Sequence, residues 1–145
     1  MLPPLRRAAA KQANLKLKVA LNTHCHADHI TGTGELKKRL PGLESAISAV
    51  AGAKADLLFN EGDEYTFGIH SLQMLSTPGH TSGCSSFYVP AAELVMTGDA
   101  LFVGGCGRTD FQGVRPHMYV YMYICIHTHT HIYIYINSSC PRRSS

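Results

Sequence analysis

The segment Thr23-His24-Cys25-His26-Ala27-Asp28-His29 holds three imidazoles and a carboxylate within six residues. It directly follows residues 15–22 (LKLKVALN), which alternate polar and apolar side chains and then turn apolar, as a strand does on entering a core. Because alternate side chains of an extended segment share one face, His24 and His26 can point the same way. A single histidine in a polar loop is common, but three so close together are not. The segment therefore predicts a metal site at the end of a strand.

Two later segments supply further candidate ligands. His80 lies in residues 77–83 (TPGHTSG), where proline and glycine restrict the loop, so the imidazole has little entropy left to lose on binding. Asp99 follows residues 94–98 (LVMTG), and a carboxylate at the exit of a buried strand is costly unless it is paired or metal-bound. Taken singly, His80 is a surface or core histidine and Asp99 a turn aspartate. Together, the two histidine loops and the strand-end aspartate supply a two-histidine-one-carboxylate set.

The rest of the central sequence predicts short strands and few helices. A short helix over residues 35–40 is ended by Pro41. Strands are predicted over residues 45–48, 57–59, 69–75, 85–89 and 93–97. Polar residues sit at the strand ends, which is typical of a sheet scaffold that carries a site on its edge loops.

Length and composition exclude several classes of protein. The chain has 145 residues, 45% of them hydrophobic and 16% charged, which suits one folded domain. A formal charge of +3 is too small to argue for a nucleic-acid partner, and no apolar run reaches the ~18 residues of a membrane-spanning helix. Five cysteines with no CxxC pair argue against a disulfide framework and a zinc ribbon, and favour a reducing, intracellular setting.

The distribution of charge divides the chain into three zones. Five bases and no acid precede Asp28, ten acids and five bases lie from Asp28 to Asp110, and no acid follows. Residues 1–12 form a basic leader that fits part of a mitochondrial transit peptide or, equally, a frayed basic tail or an alternative start. Residues 13–113 are expected to be the folded part. Residues 114–145 form an aberrant low-complexity tail.

The tail is dominated by two-residue repeats. His-Thr repeats are followed by Ile-Tyr repeats within residues 117–140, a pattern that a translated two-letter nucleotide repeat would produce. A histidine-rich metal tract at His127, His129 and His131 is the functional alternative. The Ile-Tyr alternation has strand period, low charge and no proline, so we expect it to favour aggregation.

Four motifs of the central zone resemble a known family. THCHADHITGTG (residues 23–34), TPGHTSGC (77–84), TGDALF (97–102) and GCGRTDFQ (105–112) look like the metallo-β-lactamase superfamily. Within it they resemble the persulfide dioxygenases of the ethylmalonic encephalopathy protein type. The HxHxDH motif marks only the superfamily, whereas residues 104–111 indicate the subfamily. The resemblance covers roughly residues 13–113. It implies an α/β fold, a partial metallo-β-lactamase αβ/βα sandwich that lacks its first strands and its C-terminal half.

The resemblance also implies an activity and a set of site residues. The family uses one Fe(II) per chain to oxidise glutathione persulfide with O2 to sulfite and glutathione, in hydrogen sulfide catabolism in the mitochondrial matrix. By motif position the iron ligands would be His24, His80 and Asp99, an arrangement that leaves about three coordination positions open. The surrounding hydrogen-bonding residues would be His26, Asp28 and His29.

Two residues of the GCGRTDFQ motif are candidates for substrate binding. Arg108 could anchor a glutathione carboxylate, because a guanidinium binds carboxylates through two hydrogen bonds. A structural ion pair with Asp110 or another acid of the loops is the alternative. Cys106 could line the substrate pocket, and the neighbouring glycines would allow close packing of the loop. Cys25 and Cys84 are expected to be small buried residues.

The sequence leaves two other functions open. A zinc-dependent hydroxyacylglutathione hydrolase of the glyoxalase II type would use the full HxHxDH set and a later histidine, but after Asp99 histidines occur only from residue 117 onward. The other is a non-catalytic, truncated product, because missing strands would leave unpaired sheet edges and exposed apolar faces. We therefore expect weak stability and weak or absent catalysis. A cytoplasmic location and a homodimer also stay open.

Overall fold

The computed structural model describes residues 15–26, 30–102 and 105–109, together with the backbone of Tyr133–Tyr135. The basic leader, and the low-complexity tail apart from Tyr133–Tyr135, lie outside these residues. The described part contains one α-helix, α1 (Thr33–Arg39). Its strands are β1 (Val19–Leu21), β2 (Glu44–Ser48), β3 (Leu57–Phe59), β4 (Glu64–Phe67), β5 (His70–Ser76), β6 (Ser85–Val89), β7 (Leu94–Met96) and β8 (Tyr133–Tyr135).

The strands form two sheets. β1, β2 and β3 form a parallel sheet in that order, and β4 to β8 form a second sheet in chain order. In the second sheet the pairs from β4 to β7 are antiparallel, and β8 pairs in parallel with β7. Because β5 and β7 are both antiparallel to β6, they run in the same direction. Their C-terminal ends therefore lie at the same edge of the sheet.

The hydrophobic core lies between the two sheets. Phe59 of the first sheet and Phe87 of the second meet with ring centroids 6.2 Å apart. The same cluster contains Ala46, Leu72, Met74 and Val89. β2 is buried on both faces, because Ala46 faces this core and Ile47, on the opposite face, is also buried. The helix α1 lies against β2, so the α/β organisation expected from the sequence is confirmed.

The boundaries of several elements differ from the sequence prediction. The strand expected over residues 15–22 is limited to Val19–Leu21, which among the described strands pairs only with β2, and residues 15–18 are exposed. The helix begins at Thr33, two residues earlier than predicted, and Thr33 donates a hydrogen bond to the Asn22 side chain. The strand β4 was missed because only its Tyr65 is partly buried, which leaves no alternating apolar pattern to detect.

No helix in the described ranges is long and apolar enough to cross a membrane.

A hydrogen-bonded carboxylate joins the helix to the first sheet. The Asp56 side chain accepts hydrogen bonds from the Lys37 ammonium and from the backbone N–H and hydroxyl of Ser45, the Ser45 contacts being 2.6 and 2.7 Å long. The Lys37 hydrogen bond, followed by those from Ser45, holds the pKa of Asp56 well below its usual range. Asp56 thereby connects α1, β2 and the segment that leads into β3.

We expect Asp56→Asn to change how stability depends on pH. A carboxyl whose pKa is lower in the folded chain stabilises the fold above its unfolded pKa of about 4, and this contribution is lost as the pH falls through the folded value. Wild type should therefore unfold at a higher urea concentration than Asp56→Asn at pH 7, and the difference should shrink below about pH 4. Urea unfolding of the metal-free chain followed by circular dichroism measures it. Glu93→Gln, an exposed carboxylate between β6 and β7, is the control. A difference that stays constant down to pH 2 would contradict the assignment.

Candidate metal centre

Three strand ends meet at one edge of the fold and carry the candidate ligands. His24 and His26 follow β1, His80 lies in the loop from β5 to β6, and Asp99 lies in a single 3-10 turn, Gly98–Ala100, after β7. The parallel course of β5 and β7 brings His80 and Asp99 to the same edge. β1 belongs to the other sheet, but the Thr23 carbonyl accepts hydrogen bonds from the N–H and hydroxyl of Ser85 at 2.8 and 3.0 Å. Those contacts hold the histidine segment beside the start of β6.

Four side chains come within reach of one another at this edge. One ring nitrogen from each of His24, His26 and His80 can be chosen so that all three lie within 4.8 Å of one another. Asp99 adds a carboxylate, whose Oδ2 lies 3.5 Å from His80 Nε2 and 3.7 Å from His24 Nε2. Asp28 and His29 lie outside the described residues. The sequence had pointed to His24, His80 and Asp99, and the structure brings these three together with His26.

The hydrogen bonds of His80 define the protonation of its ring. His80 is buried, and its Nδ1 lies 2.9 Å from the carbonyl oxygen of Arg108. A carbonyl oxygen only accepts, so Nδ1 carries the proton in this contact. If the ring is neutral, its Nε2 carries a lone pair, and His26 Nε2, which lies 2.7 Å away, is the donor in that contact. In this tautomer the lone pair of His80 Nε2 faces the other candidate ligands.

The segment Cys106–Arg108 packs against the ring of His80. The Gly107 N–H donates a hydrogen bond of 2.7 Å to the backbone carbonyl of Asp99. A Cβ atom at Gly107 would lie 2.7 Å from His80 Cγ and Nδ1, so only glycine fits without displacing the ring. The expected close packing of the glycines is confirmed at Gly107, whereas no atom of the described residues lies within 4 Å of a Cβ at Gly105. Sequence reasoning missed the role of the Arg108 carbonyl, because a backbone acceptor leaves no residue-type signal.

The two residues proposed for substrate binding flank Gly107, which packs against His80. Cys106 is partly buried. The Arg108 side chain is exposed, and the alternative partner Asp110 lies outside the described residues.

The other two cysteines of the described region differ in burial. Cys84 is buried as expected, and this burial raises the pKa of its thiol although Thr81 donates hydrogen bonds to it. The expectation of burial was wrong for Cys25, which is only partly buried and donates to the Ala51 carbonyl at 3.5 Å. Cys84 is therefore a neutral, packed thiol.

Gly98 allows the Asp99 turn to approach the histidine segment. Its φ is +55°, and a Cβ there would lie 2.2 Å from the hydroxyl oxygen of Thr23. That hydroxyl is 3.0 Å from His24 Nδ1. The absence of a side chain at Gly98 thus brings β7 and β1 close enough for Asp99 to reach His24.

We expect Gly98→Ala to destabilise the chain more than Gly68→Ala does. Both glycines have positive φ, and an alanine in that region costs about 1–2 kcal/mol. Of the two, only Gly98 would add a steric clash, worth a further ~1–3 kcal/mol, since no described atom lies within 4 Å of a Cβ at Gly68. Urea unfolding of both variants separates the backbone cost, which they share, from the steric cost at Gly98. Equal losses in the free energy of unfolding would mean that Thr23 moves aside without cost.

Comparison with known proteins agrees with this fold. The model of the metallo-beta-lactamase superfamily matches residues 3–53 and 41–129, so the chain belongs to the metallo-β-lactamase superfamily. The chain is 55% identical over 102 residues to the mitochondrial persulfide dioxygenase ETHE1 of Mus musculus and 52% identical to that of Homo sapiens. These matches confirm the resemblance to persulfide dioxygenases. Each covers 70% of this chain and 40% of the relative, so the chain spans well under half the length of these relatives.

A hydrolase of the same superfamily is more distantly similar. The hydroxyacylglutathione hydrolase of Brucella ovis is 39% identical over 116 residues, which cover 77% of this chain and 44% of the hydrolase.

Solved structures confirm the fold. The crystal structure of ETHE1 from Myxococcus xanthus superimposes with a TM-score of 0.76 at 34% identity, covering 90% of this chain and 58% of that one. A metallo-beta-lactamase from Staphylococcus aureus superimposes with a TM-score of 0.69 at 21% identity, covering 92% of this chain and 44% of that one. The expectation of a partial metallo-β-lactamase fold is therefore confirmed.

Proposed function

We propose that the chain carries the iron site of a persulfide dioxygenase, which oxidises glutathione persulfide with O2 to sulfite and glutathione in hydrogen sulfide catabolism. The observation that carries the proposal is the meeting of Asp99 Oδ2 with His80 Nε2 at 3.5 Å and with His24 Nε2 at 3.7 Å. The 52–55% identity to mammalian persulfide dioxygenases supports the choice of substrate.

The donor set fits a ferrous ion. Two ligand atoms in adjacent positions about 2.1 Å from one metal lie about 3 Å apart. The Asp99 contacts of 3.5 and 3.7 Å therefore need to shorten by only about 0.5–0.7 Å. Two imidazoles and one carboxylate form the donor set of non-haem iron oxygenases. We propose His24, His80 and Asp99 as the ligands, with one iron per chain.

Other residues would orient the substrate. When bound, iron supplies the O2 chemistry that side chains lack. Because a metal would occupy the lone pair of His80 Nε2, the proton on His26 Nε2 would turn to another acceptor, and the anionic terminal sulfur of a persulfide is suited to it. The exposed Arg108 guanidinium would bind a carboxylate of the glutathione moiety, beside Cys106. Asp28 and His29 are proposed to complete the hydrogen bonding around the site.

The experiment compares two metals and two substrates on the purified full chain. The protein is loaded anaerobically with Fe(II) or Zn(II) and given glutathione persulfide and O2, or a glutathione thioester. The proposal expects O2 uptake and sulfite release that need iron and persulfide together and disappear in Asp99→Asn. His70→Asn, an exposed histidine at the start of β5, is the matched control and should keep the activity. Uptake no greater than that of free iron would overturn the proposal.

A zinc-dependent thioester hydrolase is the second candidate, favoured by a separate observation. The nitrogens of three histidines lie within 4.8 Å of one another, and three imidazoles suit a catalytic zinc ion. The 39% identity to a hydroxyacylglutathione hydrolase supports it. Thioester cleavage by the zinc-loaded chain would establish this function. Tight metal binding with neither reaction would instead identify a non-catalytic metal-binding product.

We also propose a mitochondrial location for the chain, supported by the names of its mammalian relatives. A fusion of the full chain to a C-terminal fluorescent protein should colocalise with a matrix marker. A diffuse cytoplasmic signal would favour the cytoplasmic alternative.

A further inference from the structure

We propose that the backbone of Gly107 and Arg108 is a positioning element that keeps His80 in its Nδ1–H tautomer, with Nε2 facing the metal centre. This inference rests on the proposed function, because it assigns a role to the segment next to the iron ligands.

The segment contacts two of the proposed ligands through adjacent residues. The Arg108 carbonyl accepts the Nδ1–H of His80 at 2.9 Å, and the Gly107 N–H donates to the Asp99 carbonyl at 2.7 Å. A displacement of this segment would therefore disturb the His80 ring and the Asp99 turn together.

The close approach depends on the missing side chain at Gly107. A Cβ there would lie 2.7 Å from two atoms of the His80 ring and 2.8 Å from the Asp99 carbonyl oxygen. His80 is only 6% exposed, so its ring has little room to move aside. An alanine at this position must therefore push His80 away from the Arg108 carbonyl or push the segment away from Asp99.

Without the Arg108 carbonyl as acceptor, the Nδ1–H tautomer of His80 would lose the hydrogen bond that stabilises it. A histidine with its proton on Nε2 has no lone pair there for a metal, so the ring must change tautomer before it can bind. Hydrogen-bonding partners of ligand histidines typically contribute 10- to 100-fold to metal affinity. We expect Fe(II) affinity to fall by about this factor when the backbone of Gly107 and Arg108 is displaced.

The experiment uses the full chain with ¹⁵N-labelled histidine. In the metal-free wild type, nuclear magnetic resonance should show His80 with Nδ1 protonated and Nε2 unprotonated, the signal being assigned by its loss in His80→Gln. Gly107→Ala should shift this signal toward the Nε2–H form and weaken Fe(II) binding about 10- to 100-fold in an anaerobic titration. Gly105→Ala, with open space around the new methyl group, is the matched control and should match wild type in both measurements.

The outcomes separate this inference from the proposed function. A wild-type His80 protonated on Nε2 would overturn the inference even if Gly107→Ala failed to fold. A Gly107→Ala variant with unchanged tautomer and unchanged affinity would also overturn it. If the wild type bound no iron but Gly107→Ala altered the tautomer, the positioning element would stand and the iron function would fail.

Discussion

Replacing His80 by glutamine is expected to weaken Fe(II) binding by more than about 100-fold, beyond the loss typical of an outer hydrogen-bonding partner. His80 is the buried member of the cluster and lies next to both His26 Nε2 and Asp99 Oδ2. An amide is a poor ligand for iron, but its NH₂ group can still donate to the Arg108 carbonyl. The fold should therefore survive while the affinity is lost.

An anaerobic titration with Fe(II), followed by persulfide-dependent O2 uptake, measures the effect of His80→Gln. The matched control is His70→Gln, which changes an exposed histidine away from the centre and should leave the affinity unchanged. Urea unfolding of the metal-free variants shows whether His80→Gln has lost stability as well. Wild-type affinity in a folded His80→Gln chain would exclude His80 as a ligand.

Replacing Phe87 by alanine is expected to lower the free energy of unfolding by about 3–5 kcal/mol. Phe87 is 1% exposed and packs between the sheets against Phe59. The lost ring removes apolar burial and leaves a cavity that the two sheets fill only in part. Since small domains are stable by about 5–15 kcal/mol, this variant should be largely unfolded under mild denaturing conditions.

The control for Phe87→Ala is Ile69→Ala, because Ile69 is 94% exposed in the turn between β4 and β5. Its free energy of unfolding should stay within about 0.5 kcal/mol of wild type. Urea unfolding followed by circular dichroism measures both variants. Equal small losses would show that the two sheets do not form a shared core in solution.

We expect Phe87→Ala also to weaken metal binding, because the loss of core packing disturbs the attachment of the histidine segment. Phe87 lies on β6, whose first residue Ser85 donates two hydrogen bonds to the Thr23 carbonyl. When β6 separates from the core, the histidine segment after β1 loses this attachment. Added Fe(II) should therefore raise the unfolding midpoint of wild type more than that of Phe87→Ala at equal concentration.

The strands that were predicted best are those with apolar residues on a buried face. Residues 57–59 and 85–89 were predicted with their exact bounds, and β2 differs by one residue, because burial leaves a hydrophobic pattern in the sequence. β4 was missed because it lies at a sheet edge and buries little. The predicted entry strand was too long because, within the described ranges, β1 pairs on one side only and residues 15–18 before it stay exposed.

The candidate ligands could be read from residue types, because few side chains bind metals and the three motifs concentrate them at strand ends. Their meeting at one edge depends on the antiparallel pairing of β6 with both β5 and β7, and on the attachment of Thr23 to Ser85 across the sheets. The tautomer of His80 depends on the Arg108 carbonyl, and the approach of that carbonyl depends on Gly107. Such contacts join residues far apart in the chain through backbone atoms common to every residue. The sequence therefore identifies the donor groups, and only the folded chain decides their distances and protonation.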